Sequence, residues 1–188
     1  MRITGGEFCG YNLAVPKTGA IRPTQDRVRE ALFNILQCEI AGSEFVDLFA
    51  GSGAVGIEAM SRGAAKVQFV EANGRHIEAL RRNLELLPEP RRRTAEIVCS
   101  DVYRWLERYT GNGFGIAFAD PPYALGEERG YASVLHTLAT RGVVRKGGLF
   151  IAEMTAVQKA EETPGWDLLR DRTYGKTRLC IWRNCVAK

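Results

Sequence analysis

The chain has few of the residues that build metal centres or secreted frameworks. Only two histidines, His76 and His136, occur among its 188 residues, too few for an imidazole-based metal site, so no metal is expected. The five cysteines, Cys9, Cys38, Cys99, Cys180 and Cys185, are odd in number and scattered, with no CxxC pair of the kind that marks a zinc or redox site. Reduced thiols are the expectation. No window approaches the roughly 18 apolar residues of a membrane span, and the N-terminus MRITGGEFCGYNLAVP has no apolar h-region. A soluble, unprocessed, cytoplasmic chain without membrane contact is therefore expected. Internal repeats and low-complexity tracts are missing too, and the RRR run at 91–93, after Pro88 and Pro90, reads as a solvated loop.

What is present fits one globular domain with a real core, because 45% of the residues are hydrophobic, with room for a short appendage. A net charge of +4 and a pI near 8.9 are compatible with a nucleic-acid partner. Apolar runs of strand length, FVDLFA (45–50), KVQFVEA (66–72), AEIVCS (95–100), FGIAFA (114–119) and GLFIAEM (148–154), alternate with helix-period segments near 54–62, 74–87, 101–109 and 128–141. That alternation predicts an α/β fold, a mainly parallel sheet covered by helices. After Pro164-Gly165, the runs WDLLRDRTY and KTRLCIWRN flank Gly175-Lys176 and predict a terminal antiparallel hairpin. Near the start, Gly5, Gly6 and Gly10 punctuate a short strand-like pair. The following segment, Pro23 to Leu36, predicts an amphipathic helix with Val28, Leu32, Ile35 and Leu36 on its apolar face.

The first chemical signal is DLFAGSGAVGIEAMSRG, in which Gly51, Gly53 and Gly56 form GxGxxG between a strand and a helix. Glycines let the backbone turn tightly and approach a ligand, and the helix N-terminus offers unpaired N–H groups. Glu71 ends the second strand about 20 residues on, where an acid holds ribose hydroxyls. A tight turn with no ligand is the plainer alternative, but strand, helix and acid in register favour a nucleoside cofactor. Asp47, ahead of the glycines, would repel a pyrophosphate and suit a cationic amino-acid moiety. Asp101, after the third strand, could accept from an adenine amine, although it is also a natural helix N-cap. Three acids at successive strand ends favour S-adenosylmethionine over a nicotinamide dinucleotide.

The fourth strand runs into DPPY, Asp120 to Tyr123. Pro121 pushes Asp120 out of helical conformations, and each proline fixes its own φ while removing an N–H donor. The result is a stiff ledge of acceptors. The Asp120 carboxylate and the Pro121 carbonyl suit the two hydrogens of a planar aromatic amine, Pro122 stiffens the ledge, and Tyr123 offers a stacking face for a base. Such an amine must pyramidalise before it attacks a methyl group, and two aimed acceptors stabilise the developing charge.

DLFAGSGAVG, Glu71, Asp101 and DPPY, in this order, resemble a class I S-adenosylmethionine-dependent methyltransferase of the amino-methylating kind. With RITGGEFCGYNLAVP and IRPTQDRVREALFNIL ahead of them, the chain closely resembles the RsmD family of 16S rRNA guanine-N2 methyltransferases from Arg2 to about Glu153. The resemblance implies a Rossmann-like seven-stranded sheet, mainly parallel with the C-terminal antiparallel hairpin. It also implies an N-terminal β-hairpin extension over 1–20 and a methyltransferase domain over 21–188. The methyl acceptor it implies is the N2 amine of a guanine in 16S rRNA, by resemblance guanine 966, within a small-subunit particle and with a monomeric enzyme. Asp120, Pro121, Pro122 and Tyr123 are then catalytic, and Asp47, Gly51, Gly53, Glu71, Asp101 and Thr24 hold the cofactor. Arg22, Arg27 and Arg29 are expected to meet RNA, although solvated helix charges are the simpler reading of Arg27 or Arg29 taken singly. A DNA or other RNA amino-methyltransferase acting on adenine N6 or cytosine N4 would share the same residues but usually needs a recognition domain. A nicotinamide oxidoreductase would share only the glycine turn and Glu71. A non-catalytic RNA-binding module would leave DPPY without a task.

Overall fold

The computed structural model describes residues 1–15, 23–121, 131–160 and 162–186, with the side chains of 23–25 outside the description. Two compact units divide the chain, Met1–Val102 and Tyr103–Lys188.

The first unit carries α1 (Pro23–Ile35), β1 (Glu44–Asp47), α2 (Ala54–Ser61), β2 (Lys66–Glu71), α3 (Gly74–Glu85), α4 (Glu89–Arg92) and β3 (Ala95–Cys99). Strands β1 and β2 pair in parallel, with Phe45 opposite Val67 and Asp47 opposite Phe69, and β2 pairs in parallel with β3, with Glu71 opposite Cys99. Consecutive residues Phe45 and Val46 are both fully buried, so both faces of β1 are covered, as crossover helices require of a parallel sheet. Helix α3 starts on an Asn73 cap whose side chain accepts from the Arg75 amide at 2.9 Å, and it buries Ile77, Leu80 and Leu84 at helical spacing.

Residues 1–15 pack within this unit. Arg2 and Asn12 form one antiparallel bridge, and Ile3, Phe8 and Leu13 are buried. The expected strand pair is thus reduced to a single bridge, and residues 16–20 of the expected extension lie outside the described residues. Val28 and Leu32 of α1 and Leu36 just beyond it are buried as expected, whereas Ile35 is half-buried and Phe33, not expected on the apolar face, is fully buried. The arginine run is not the expected loop. Arg91 and Arg92 close the one-turn helix α4, Arg93 pairs with Glu89 at 2.5 Å, and Arg91 pairs with Glu7 at 3.3 Å and donates to the Met60 carbonyl. Carbonyls and carboxylates within reach make a helical turn cheaper than a solvated coil.

The second unit contains most of α5 (Val102–Arg108), β4 (Phe114–Ala119), α6 (Tyr131–Thr140), β5 (Val144–Thr155), β6 (Trp166–Tyr174) and β7 (Thr177–Asn184). Parallel pairing joins β4 to β5, and antiparallel pairing joins β5 to β7 and β7 to β6, so the hairpin expected around Gly175-Lys176 is present. Phe150 and Trp182 stack at 5.7 Å, Trp166 meets Phe150 edge-on at 6.3 Å, and Trp166 Nε1 donates to the Leu135 carbonyl at 3.1 Å. Strand β5 starts earlier than the apolar run GLFIAEM suggested, because the polar stretch VRKGG also belongs to it. Strand order is β3-β2-β1-β4-β5-β7-β6.

Candidate functional site

The first unit holds the glycine turn between β1 and α2. Asp47 is the last residue of β1, 1% exposed, and its Oδ2 accepts from the Gly56 amide in the first turn of α2 at 3.1 Å. Glu71, the last residue of β2, accepts from the Gly51 amide through Oε2 at 2.8 Å and from the Asn73 amide through Oε1 at 2.7 Å. His76 Nδ1 lies 3.6 Å from the same Oε2. Each carboxylate oxygen has two lone pairs, so both Glu71 oxygens can still accept from a hydroxyl. Asp101 stands exposed just before α5, following a backbone bond from the Ser100 amide to the Glu71 carbonyl at 3.1 Å.

The two glycines of this turn differ in what they admit. Gly51 has φ +54° and a Cβ there would meet nothing within 4 Å, so the backbone at this point is open to a ligand. Gly53 has φ +84°, but a Cβ on it would come within 2.3 Å of Leu80 Cδ1 and 3.2 Å of Ile57 Cδ1. Its left-handed φ and the close approach of Leu80 from α3 therefore both require glycine at 53, independently of any ligand. An open backbone at Gly51 beside a carboxylate with spare acceptors fits a nucleoside such as that of S-adenosylmethionine.

Two polar residues of this unit escaped the sequence reading. Asn83, 1% exposed, accepts from the Ala14 amide at 2.7 Å and donates to the carbonyls of Ala14 and Ser52 at 2.9 and 2.8 Å. Glu58, fully buried in α2, accepts from the amide and hydroxyl of Thr4 at 2.9 and 2.8 Å, from Arg29 Nε at 3.2 Å and from Arg62 Nε at 2.9 Å. The available signals were a polar residue on the apolar face of the amphipathic α3 for Asn83 and a lone charge in the otherwise apolar α2 for Glu58.

This ion pair corrects one RNA contact. Arg29 is 4% exposed, with Nε on Glu58 and Nη2 on the Arg2 carbonyl and Asp26, and this burial withholds it from a phosphate in solvent. Arg27 is exposed on α1. Arg22, Pro122, Tyr123 and the side chain of Thr24 lie outside the described residues.

In the second unit, Asp120 follows β4 and is exposed, while Pro121 is buried. Tyr131 opens α6 with its hydroxyl donating to the Glu153 carbonyl at 2.9 Å, and burial, reinforced by the Asp120 charge, pushes its phenol well above the usual tyrosine range. An aromatic cluster of Trp105, Tyr109 and Phe114 backs the start of β4, and the Gly113 amide donates to the Tyr109 hydroxyl at 2.9 Å. Each half thus presents acceptors at the C-terminal ends of its own strands, where α/β proteins bind ligands. Among the described residues, no group of His, Cys, Asp and Glu could hold a metal ion, and no helix is long and apolar enough to cross a membrane.

The family model described as Conserved hypothetical protein 95 matches residues 1–183. Ribosomal RNA small subunit methyltransferase D of Escherichia coli strain K12 is 35% identical over 186 residues, 97% of this chain and 89% of that protein. The solved structure of yhhF from Escherichia coli matches with a TM-score of 0.85 at 33% identity, covering 98% of each chain. A more distant solved chain, complexed with SAH, shares the fold at 18% identity and a TM-score of 0.68, over 94% of this chain and 52% of that one. With a glycine turn and strand-end acids on a seven-stranded α/β sheet, DPPY in the sequence after β4, and a family match over residues 1–183, the chain belongs to the RsmD family of class I methyltransferases.

Proposed function

We propose that the protein transfers a methyl group from S-adenosylmethionine to the exocyclic N2 amine of a guanine in small-subunit ribosomal RNA, by resemblance guanine 966. The observation that carries this reading is Glu71, whose carboxylate meets the Gly51 amide at 2.8 Å beside a backbone with open space where a side chain would stand. Glu71 takes the ribose hydroxyls, Asp101 the adenine amine, and Asp47 stands behind the turn at the amino-acid end, with Thr24 a weaker candidate there. The cofactor supplies an electrophilic methyl carbon on a sulfonium.

The guanine leaves its stack, as enzymes acting on a base require. Tyr123 stacks on it. The Asp120 carboxylate and Pro121 carbonyl accept from the N2 hydrogens and pyramidalise the nitrogen, while Pro122 keeps the ledge stiff. The surplus proton leaves to Asp120 or water. Arg22 and Arg27 meet phosphates, and Arg29 acts from within by fixing α1. The work is cytoplasmic, on a small-subunit particle, by a monomer.

Purified protein with tritiated cofactor, offered naked rRNA and small-subunit particles from a modification-deficient strain, should label RNA as N2-methylguanosine. Label in N6-methyladenosine or N4-methylcytosine would overturn the guanine reading. Glu71→Ala should weaken adenosylmethionine binding measured by calorimetry, and unchanged affinity would remove Glu71 from the site.

A further inference from the structure

We propose that Asn83 is a positioning residue for the cofactor turn, locking one peptide plane between the two glycines and tying it to the chain at Ala14. The inference rests on the reading of that turn as the adenosylmethionine site.

The Ser52–Gly53 peptide is a link that covalent geometry alone leaves loosely constrained. Rotating it changes ψ of Ser52 and φ of Gly53, and the glycine, here at φ +84°, accepts positive and negative φ about equally, so one of the two torsions carries no Cβ penalty. Both of its polar ends are held. The Gly53 amide donates to the Ala50 carbonyl at 2.7 Å, and the Ser52 carbonyl accepts from Asn83 Nδ2 at 2.8 Å. Ala50 belongs to the same turn and its own amide donates to the Val70 carbonyl of β2 at 3.1 Å, whereas Asn83 sits on α3, which Ile77, Leu80 and Leu84 anchor in the core. The amide end is thus referred to β2 through Ala50, and Asn83 fixes the carbonyl end from α3.

The same amide also accepts from the Ala14 N–H and donates to the Ala14 carbonyl, as a neighbouring strand would. Both N–H groups of the side chain are thus committed, one to each carbonyl, and no hydrophobic residue of equal size could satisfy them. Residues 10–15 and the cofactor turn share one anchor, so ordering either favours ordering the other.

Asn83→Asp tests this because it keeps the volume and the acceptor but has no N–H to give, and it sets a carboxylate against two carbonyls. The expected result is adenosylmethionine affinity lowered about tenfold by calorimetry, faster amide exchange at Gly53, and kcat on small-subunit particles at saturating cofactor within about twofold of wild type. Asn83→Leu, which preserves helix packing, should lose affinity in the same direction. Variants that melt earlier yet bind the cofactor like wild type, with Gly53 exchange unchanged, would overturn the positioning role. Wild-type protein that fails to bind adenosylmethionine would overturn the cofactor reading itself, and this inference with it. Should neither variant fold, exchange in the wild type decides: the cofactor should slow the Gly53 and Ala14 amides together, and protection of Gly53 alone would sink the shared anchor.

Discussion

The glycine turn of the first unit and the antiparallel β5-β7-β6 flank of the second are stabilised by different chemistry. Around the turn, polar side chains each fix a named backbone group: buried Asp47 the Gly56 amide, partly exposed Glu71 the Gly51 amide, buried Asn83 the Ser52 carbonyl. Across β5–β7, Phe150, Trp166 and Trp182 pack ring against ring, and Leu179, Ile181 and Leu149 fill the rest. Aromatic packing removes area from water but tolerates small displacements. Hydrogen bonds from buried anchors do not, because an unmet polar group is costly. A ligand site needs the second kind, whereas the flank leans mainly on the first, with the Trp166 and Asn184 bonds to the Leu135 and Val144 carbonyls beside it.

The largest break in this contrast should come from Glu58→Ala. It would leave the Arg29 and Arg62 guanidiniums around an empty carboxylate position, one of them 4% exposed, and should cost about 3–5 kcal/mol of stability in denaturant titrations. A loss near 1 kcal/mol would show that solvent reaches the pair. Asp120→Ala should act on chemistry instead of folding, raising the barrier by about 3–4 kcal/mol with cofactor binding and melting temperature intact. Asp120→Asn should keep measurable activity, since an amide oxygen still accepts but hardly takes a proton. Equal, complete loss in both would make the carboxylate's charge or basicity essential. Gly53→Val offers no clean test of ligand contact, because its Cβ would press on Leu80.

On the hairpin side, Trp166→Phe removes the donor to the Leu135 carbonyl and part of a buried ring, a loss of about 2 kcal/mol by thermal melting, with methyl transfer unchanged. A drop in kcat at saturating cofactor would tie the hairpin to the chemistry after all. The smallest effect is expected at the rim, where Arg178 grips Asp171 through two bonds of 2.6 and 2.8 Å. Those bonds hold the Asp171 carboxyl below its usual range. A depressed carboxylate contributes stability that is full above its unfolded pKa, near 4, and is lost as pH falls through the folded value. Arg178→Gln should therefore be slightly less stable than wild type at neutral pH, and the gap should close in strong acid. A gap that widens below pH 4 would reverse the sign and exclude this pair as its source.

By itself the sequence determined what depends on neighbours within a few residues. The glycines with their flanking strand and helix, the acid at the end of β2, the stop imposed by Asp-Pro-Pro and the hairpin at Gly175-Lys176 are all local patterns, and each is where it was expected as far as the described residues extend. Tertiary structure decided which polar groups are structural and which remain available. Arg27 and Arg29 look alike in the string PTQDRVRE, yet one is exposed and the other is buried against Glu58. Gly53 looks like a ligand contact and is held glycine by Leu80, from a different helix. Asn83 reaches Ala14 across 69 positions and Glu58 reaches Thr4 across 54. Burial and hydrogen-bond partnership are properties of the packed chain, and no local period or propensity carries information over such separations.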